Sequence, residues 1–342
     1  MQKHTICEIA QKGSDSMLDE DHHELLAQVA SMYYEGEKSQ SEIAEEFGLS
    51  RVKVYRLLKE AREKQVVRIE IDWPIERDSQ MENHLRQAFH LKKALVLKTH
   101  TSHSSGDLRR LGQMTARYLE MILDDGMTLS VCLGRSTYEV IHAIRPGFRA
   151  NVNVVQAMGS IPFTIQDLDS SALARQLAQN LGGQVLYLPS PFMANNPEEA
   201  GVLRRQRLIE QTLDASRSAD ILLVGIGSLN PDTSRYVLSS MISADSLNAL
   251  AAEGAAGDIG GQFFNLSGDL HPCVYNECII GLTIEEMKRI PNTIAVAMGS
   301  YKAQAILGGL RTGVIDILCT DLQTASEVLR LEGDSAGLRK DS

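Results

Sequence analysis

Gln40-Ser41-Glu42-Ile43-Ala44-Glu45-Glu46-Phe47-Gly48-Leu49-Ser50-Arg51-Val52-Lys53-Val54-Tyr55-Arg56-Leu57-Leu58 divides into two short helical patterns joined by a glycine. Ile43, Ala44 and Phe47 give the first an apolar face, and Val54, Leu57 and Leu58 give the second a face that packs back onto it. Ala44 is small where the two helices would cross, and Gly48 supplies the tight turn between them. Ser50 is a good N-cap, so the second helix is predicted to start at Arg51 and to project Arg51, Lys53, Tyr55 and Arg56 outward. That is a helix-turn-helix pattern, with a recognition helix suited to the major groove of DNA and with Gln40 and Ser50 beside the phosphate backbone.

The charge pattern agrees. Residues 51–68 carry seven basic side chains (Arg51, Lys53, Arg56, Lys59, Arg62, Lys64, Arg68) against two acidic ones (Glu60, Glu63), which is 7 − 2 = +5 within a chain of net charge −10. A basic face is what phosphate contacts need, and the acidic remainder limits nonspecific attachment to nucleic acid. A helical hairpin with an apolar stripe occurs in many enzymes, so the local charge is what favours DNA over that plainer reading.

At 342 residues the chain is longer than one typical domain, and 43% hydrophobic residues provide ample core. No run approaches the ~18 uncharged apolar residues that span a bilayer, and residues 1–20 are polar without an apolar signal core. A cytoplasmic protein with no membrane partner is expected. The five cysteines (Cys7, Cys132, Cys273, Cys278, Cys319) are odd in number and lack a paired C-x-x-C spacing. They read as reduced residues, and His271 beside Cys273 and Cys278 does not complete a zinc-type ligand set. No metal and no cofactor are expected.

Residues 1–20 mix polar types without a period and read as a flexible tail, and residues 331–342 read as another. Leu25, Leu26, Val29, Met32 and Tyr33 have helical spacing and support the helix pair, which places a DNA-binding domain over 21–74. Val66 to Trp73 alternates apolar and polar residues, as the wing strand of a winged helix-turn-helix does. Met81, Leu85, Ala88 and Phe89 predict a connecting helix within 75–92. From 93 to 330 strand-like segments (94–97, 128–133, 152–157, 185–188, 221–226, 293–297, 315–319) alternate with helical ones (108–123, 138–144, 172–181, 202–216, 284–290, 302–312). Such alternation implies right-handed parallel crossovers and an α/β, doubly wound, Rossmann-like sheet.

In open α/β sheets, ligands bind beyond the carboxyl ends of the strands, where helix N-termini favour anions. Three loops occupy that position. Gly134-Arg135-Ser136-Thr137 offers backbone N–H groups, two hydroxyls and a guanidinium for a phosphate. Gly225-Ile226-Gly227-Ser228 follows a second strand and Gly299-Ser300-Tyr301-Lys302 a third. A lysine at a helix start opposes the helix dipole unless an anion offsets it, which makes Lys302 a candidate anion ligand. Each glycine alone is compatible with simple turn punctuation, but three loops share one topological position. Asp258, within Gly257-Asp258-Ile259-Gly260-Gly261, can accept sugar hydroxyls or form an Asx-type turn. Asn276 and Glu277 are further polar candidates. No dinucleotide fingerprint or P-loop lysine motif is present.

The whole order resembles the SorC family of bacterial transcription regulators over nearly all of residues 25–330. The resemblance is carried by Tyr33-Tyr34-Glu35-Gly36, Gln40 to Leu58, Leu133-Gly134-Arg135-Ser136-Thr137-Tyr138-Glu139-Val140, Gly257-Asp258-Ile259-Gly260-Gly261-Gln262-Phe263-Phe264, Ile279 with Gly281-Leu282, and Arg289-Ile290-Pro291 through Lys302-Ala303. It implies an operator-binding homo-oligomer, usually a tetramer, and an effector-binding and oligomerisation domain over 93–330. That domain would be similar to sugar-phosphate isomerase and deaminase folds and would take a sugar or sugar phosphate. Effector phosphate would then meet Gly134 to Thr137 and Lys302, and the sugar would meet Asp258. The chain departs from the family pattern at Cys132-Leu133, where Gly-Trp is frequent, and at Ser136, which replaces a threonine but keeps a hydroxyl.

The same resemblance raises an enzymatic alternative, proton transfer on a sugar phosphate, which needs a positioned base. Related deaminases continue their Gly-x-Gly loop with Asp-Gly-His, whereas Gly225-Ile226-Gly227 continues here with Ser228-Leu229-Asn230, so binding without turnover is expected. A DNA-binding protein whose second domain only assembles the oligomer is the remaining alternative, and the three strand-end loops argue against it.

Overall fold

The structure is a computed structural model that describes residues 22–338 apart from 65, 68–72, 100–104, 133, 146 and 162–169. Contacts divide the chain into two compact units, Met1–Trp73 and Pro74–Ser342. The expected tail over 1–20 lies outside the described residues.

In the first unit, helices over 22–34, Gln40–Phe47 and Arg51–Glu63 enclose Leu26, Val29, Ile43, Val54, Leu57 and Ala61. Ser39 and Glu42 form a reciprocal capping box at the start of Gln40–Phe47, and Gly48 ends it in the left-handed conformation at φ 63°. Ser50 caps the next helix, its Oγ accepting the Lys53 N–H at 3.2 Å. Val54, Leu57, Leu58 and Ala61 turn inward, while Arg51, Val52, Lys53, Tyr55, Arg56 and Lys59 are exposed. Most of the strand expected over 66–73 lies outside the described residues, but Val66 and Val67 pack on the helical core.

The second unit is built on a parallel sheet of seven strands: β1 (Lys93–Leu97), β2 (Thr128–Val131), β3 (Asn153–Gln156), β4 (Val185–Leu186), β5 (Ile221–Gly225), β8 (Asn292–Val296) and β9 (Ile317–Asp321). Their order is β1-β9-β8-β5-β2-β3-β4, and every pairing is parallel. Apolar clusters cover both faces, which explains why β2, β5, β8 and β9 read as nearly continuous apolar runs. The chain winds outward in one direction from β2 and in the other from β5, so the order reverses between these neighbours. A separate antiparallel hairpin joins β6 (Ala255–Ile259) to β7 (Gln262–Asn265).

Four sequence expectations are corrected. The Asx-type turn offered for Asp258 does not form: Asp258 lies in β6, and Gly260-Gly261, at φ 59° and 92°, make the two-residue hairpin turn that left-handed residues allow. The helix expected to connect the two domains, Ser79–Phe89, packs within the second unit. There Leu85 is fully buried, and Glu82 accepts the Val96 N–H at 3.1 Å and a two-point contact from Arg77 at 2.7 Å. The segment 202–216 is two helices, Pro197–Arg204 and Arg207–Arg217, not one. The expected tail over 331–342 is helical to Leu338 because tertiary contacts outweigh its polar composition: Leu329 and Leu331 pack on the core and Arg311 pairs with Glu332. Residues 339–342 lie outside the described residues. Among the described residues no helix is long and apolar enough to cross a membrane.

Ile43 is fully buried at the junction of all three N-terminal helices. Ile43→Ala is expected to destabilise the first unit by about 2–5 kcal/mol, read as an earlier thermal loss of helical circular dichroism.

Candidate functional site

The strand reversal between β2 and β5 leaves a crevice at their carboxyl ends, the place where open α/β sheets hold ligands. A cleft of about 830 Å³, counting the solvent at its mouth, occupies it. Its walls include the loops after β2, β5 and β8, which are consecutive neighbours in the sheet, together with Asp258 from β6. Of the residues singled out in the sequence, Gly134, Arg135, Ser136, Gly225, Gly227, Ser228, Asp258 and Lys302 all line this one cleft. Thr137 does not. Its side chain is fully buried, and its Oγ1 accepts the Gly134 N–H at 2.7 Å, so the hydroxyl serves the first turn of the helix Arg135–His142. The start of that helix still presents backbone N–H groups without intrahelical partners, as helix N-termini do.

Hydrogen bonds fix the remaining parts. The β6–β7 hairpin is pinned over the end of β5 by an antiparallel bridge in which Gly227 and Asp258 exchange N–H···O contacts at 2.9 and 3.1 Å. A Cβ on Gly227 would overlap Asp258 Oδ1, so only glycine permits this approach. Tyr236 Oη donates to Asp258 Oδ2 at 2.5 Å, and the Gly261 N–H donates to the same oxygen at 3.3 Å. Lys302, at the end of the 3-10 turn Ser300–Lys302, reaches from the β8 loop to the β5 loop and donates through Nζ to the Ile226 carbonyl at 2.9 Å. Asn276 lies outside the cleft and braces the hairpin, accepting the Phe263 N–H and donating to the carbonyls of Phe263 and His271.

Four polar residues in the cleft, Thr233, Ser234, Arg235 and Tyr236, were not singled out from the sequence. Thr233-Ser234 leads into a one-turn helix, Arg235–Leu238, which sends Arg235 and Tyr236 to the Asp258 side. The Arg235 guanidinium comes within 3.5 Å of where a Cβ on Gly134 would stand. Ser234 is 4% exposed, and its Oγ has no hydrogen-bond partner among the described residues. A buried hydroxyl in that state is costly unless a ligand completes it. One turn of helix has no readable period, so no sequence signal marked these residues.

The electrostatics favour an anion. Among the described lining residues, Arg135, Arg235 and Lys302 share the cleft with one carboxylate, that of Asp258. Burial lowers the Lys302 pKa, Asp258 opposes that shift and Arg135 adds to it. Burial likewise lowers the Arg235 pKa against the opposing effect of Tyr236 and Asp258. Burial raises the Asp258 pKa, while the Tyr236 hydroxyl, Lys302, the Gly261 N–H and Arg235 pull it down. A phosphate would relieve the like-charge crowding and replace the water these cations lose. Met158, Ile161 and Phe192 supply an apolar wall opposite. Cys132 also lines the cleft, but burial and then Asp258 push its thiol up to about 12, so it stays protonated and unreactive at neutral pH.

The family model described as "Putative sugar-binding domain" matches residues 73–330. The transcriptional regulator LsrR of Enterobacter sp. (strain 638) is 32% identical over 317 residues, covering 91% of this chain and 94% of that protein. The chain belongs to the SorC family of sugar-binding transcriptional regulators. The deoxyribonucleoside regulator of Bacillus subtilis (strain 168) is 27% identical over 308 residues, covering 90% and 98% of the two chains. Among solved structures, the full-length sorbitol operon regulator SorC of Klebsiella pneumoniae aligns with a TM-score of 0.69 at 26% identity, covering 90% of this chain and 98% of that one. As a SorC-family member this chain is a sugar-responsive transcriptional regulator, and its mostly parallel α/β unit coincides with the family's sugar-binding domain.

Two outcomes follow for the cleft. Phosphate prefers the charged form of Lys302, whose pKa is lowered, so affinity for an anionic ligand should fall as pH rises through that lowered value, below the usual lysine range. Calorimetric titration across pH checks this, and in Lys302→Arg the fall should move to higher pH because guanidinium does not deprotonate. Gly227→Ala should displace Asp258 and weaken sugar binding at least tenfold, about 1.4 kcal/mol, while the far-ultraviolet spectrum is retained.

Proposed function

We propose that this protein is a cytoplasmic, homotetrameric regulator of a carbohydrate catabolic operon, in which a winged helix-turn-helix over 21–74 binds the operator and the cleft senses a phosphorylated sugar. The observation that carries the effector reading is the meeting of three cationic side chains, a buried carboxylate and a partnerless buried hydroxyl at one strand-reversal crevice. Arg135, Lys302 and the first turn of Arg135–His142 take the phosphate, with Ser136 and Ser228 as hydroxyl donors and the glycines of the Gly134 and Gly225–Gly227 loops allowing close backbone approach. Arg235 and Ser234 face the same anion from the other side. Asp258 accepts hydroxyls from the sugar, its second oxygen being held by Tyr236 and Gly261.

On the DNA side, Arg51, Lys53, Tyr55 and Arg56 are all exposed on a helix whose opposite face is core. Ser50 both caps that helix and, with Gln40 at the start of the preceding one, lies where the sugar-phosphate backbone passes. Phosphate occupancy of the cleft biases one arrangement of the oligomer over another, and operator spacing follows from the oligomer's symmetry.

Binding without turnover is the reading the cleft supports over enzymatic proton transfer. Among the described residues no histidine lines it, its thiol is held protonated, and one oxygen of Asp258 is committed to Tyr236 and Gly261. Isomerisation or deamination of a sugar phosphate by the purified protein at a useful rate would overturn this.

The test is a gel shift at stated salt on DNA from upstream of the protein's own gene, with a panel of sugars and their phosphates. A shift altered by one phosphorylated compound is expected, and a shift indifferent to every compound returns the second domain to assembly alone. Arg51→Ala and Lys53→Ala should each weaken operator binding, by about 1–3 kcal/mol where the side chain reads a base. Full affinity in both variants would contradict the placement of the recognition helix.

A further inference from the structure

The exposed face of the helix Arg51–Glu63 is not uniformly polar. Val52 is 60% exposed and Tyr55 52% exposed, although the chain buries most of its other branched aliphatic residues. At 100° per residue the buried set Val54, Leu57, Leu58 and Ala61 defines one side of the helix, and Val52 with Arg56 and Lys59 defines the side farthest from it. Tyr55, three residues on from Val52, is its neighbour on the surface. A β-branched residue at this position adds nothing to helix propensity and packs against no core. It is the second residue of the helix, directly after Arg51 and before Lys53, so the surrounding charge draws a polyanion onto the face it occupies.

We propose that Val52 is a sequence-reading residue whose isopropyl group packs on the C5-methyl of a thymine in the operator's major groove. The inference rests on the DNA-binding reading above and names what that helix selects. Residues in the first turn of a recognition helix approach base edges. Valine offers neither donor nor acceptor, and the thymine methyl is the apolar feature that distinguishes a base in that groove. Arg51, Lys53 and Arg56 anchor and orient the helix through phosphates and purine edges. Val52, between them at the pole of the helix, adds preference for A·T at one position of each half-site. Being exposed, it can be changed without disturbing the core of Leu26, Ile43, Val54 and Leu57.

The experiment uses the full-length protein and a duplex that the protein itself enriches from random-sequence DNA. Each thymine in the duplex is replaced in turn by deoxyuridine, which removes the methyl and leaves base pairing intact. Affinities of the wild type, Val52→Ala and Val52→Thr are measured by fluorescence anisotropy. One thymine per half-site should give wild-type binding about fourfold weaker as deoxyuridine, the factor expected for one buried methyl. At that position Val52→Ala should bind both duplexes with a ratio near one, and Val52→Thr, which keeps one methyl, should retain a preference. If Val52→Ala keeps the wild-type ratio at every position, or if no thymine matters to the wild type, the proposal is wrong while DNA binding stands. If no sequence is enriched, the DNA-binding reading fails and this inference with it.

Discussion

Asp258 is a buried carboxylate that has to be held in a cleft shared with Arg135, Arg235 and Lys302, and most of the architecture around the cleft meets that constraint. An isolated buried carboxylate loses hydration that only hydrogen bonds and nearby cations restore. Here one oxygen takes the Tyr236 hydroxyl and the Gly261 N–H, while Lys302 and Arg235 supply charge. The Gly227–Asp258 bridge fixes the backbone, and the absence of a side chain at Gly227 makes room for the carboxylate. Among the described lining residues, three cations stand against one anion. That balance supports the anionic ligand proposed above.

The sheet supplies the geometry for this. Because the strand order reverses between β2 and β5, the loops after β8, β5 and β2 stand side by side without having to cross the sheet edge. Lys302 spans two of them through the Ile226 carbonyl, and the β6–β7 hairpin closes over a third side. A ligand drawing on Lys302 competes with that carbonyl. Under the proposed function, effector binding is tied to the relative placement of the β5 and β8 loops, the kind of small local shift that a packed core turns into a choice between discrete arrangements.

Much of this was legible in the sequence for identifiable reasons. Gly134 to Ser136 and Gly299 to Lys302 stand out because a buried parallel strand is an apolar run and the glycine after it marks the turn into a helix. Asp258 is legible as a residue but not as part of a strand, since Gly257, Gly260 and Gly261 are compatible with a local Asx-type turn, whereas pairing with β7 makes β6 extended. Arg235, Tyr236 and Ser234 left no trace because a one-turn helix has no period and their position is set by where the chain returns. Thr137 stands in the strand-end loop where a phosphate is expected, but the first turn of its own helix claims its hydroxyl. The last helix was missed because Glu332-Gly333-Asp334-Ser335 is polar, and its order comes from Leu329, Leu331 and the Arg311–Glu332 pair.

The measurement that tests the account most directly is operator affinity of the wild type and of Lys302→Ala, each titrated with a sugar and with the same sugar phosphorylated. The account predicts that only the phosphorylated form changes wild-type affinity, and that Lys302→Ala binds the operator as tightly as the wild type yet ignores both forms. Loss of operator binding in Lys302→Ala, or an undiminished response to the phosphorylated sugar, would contradict it.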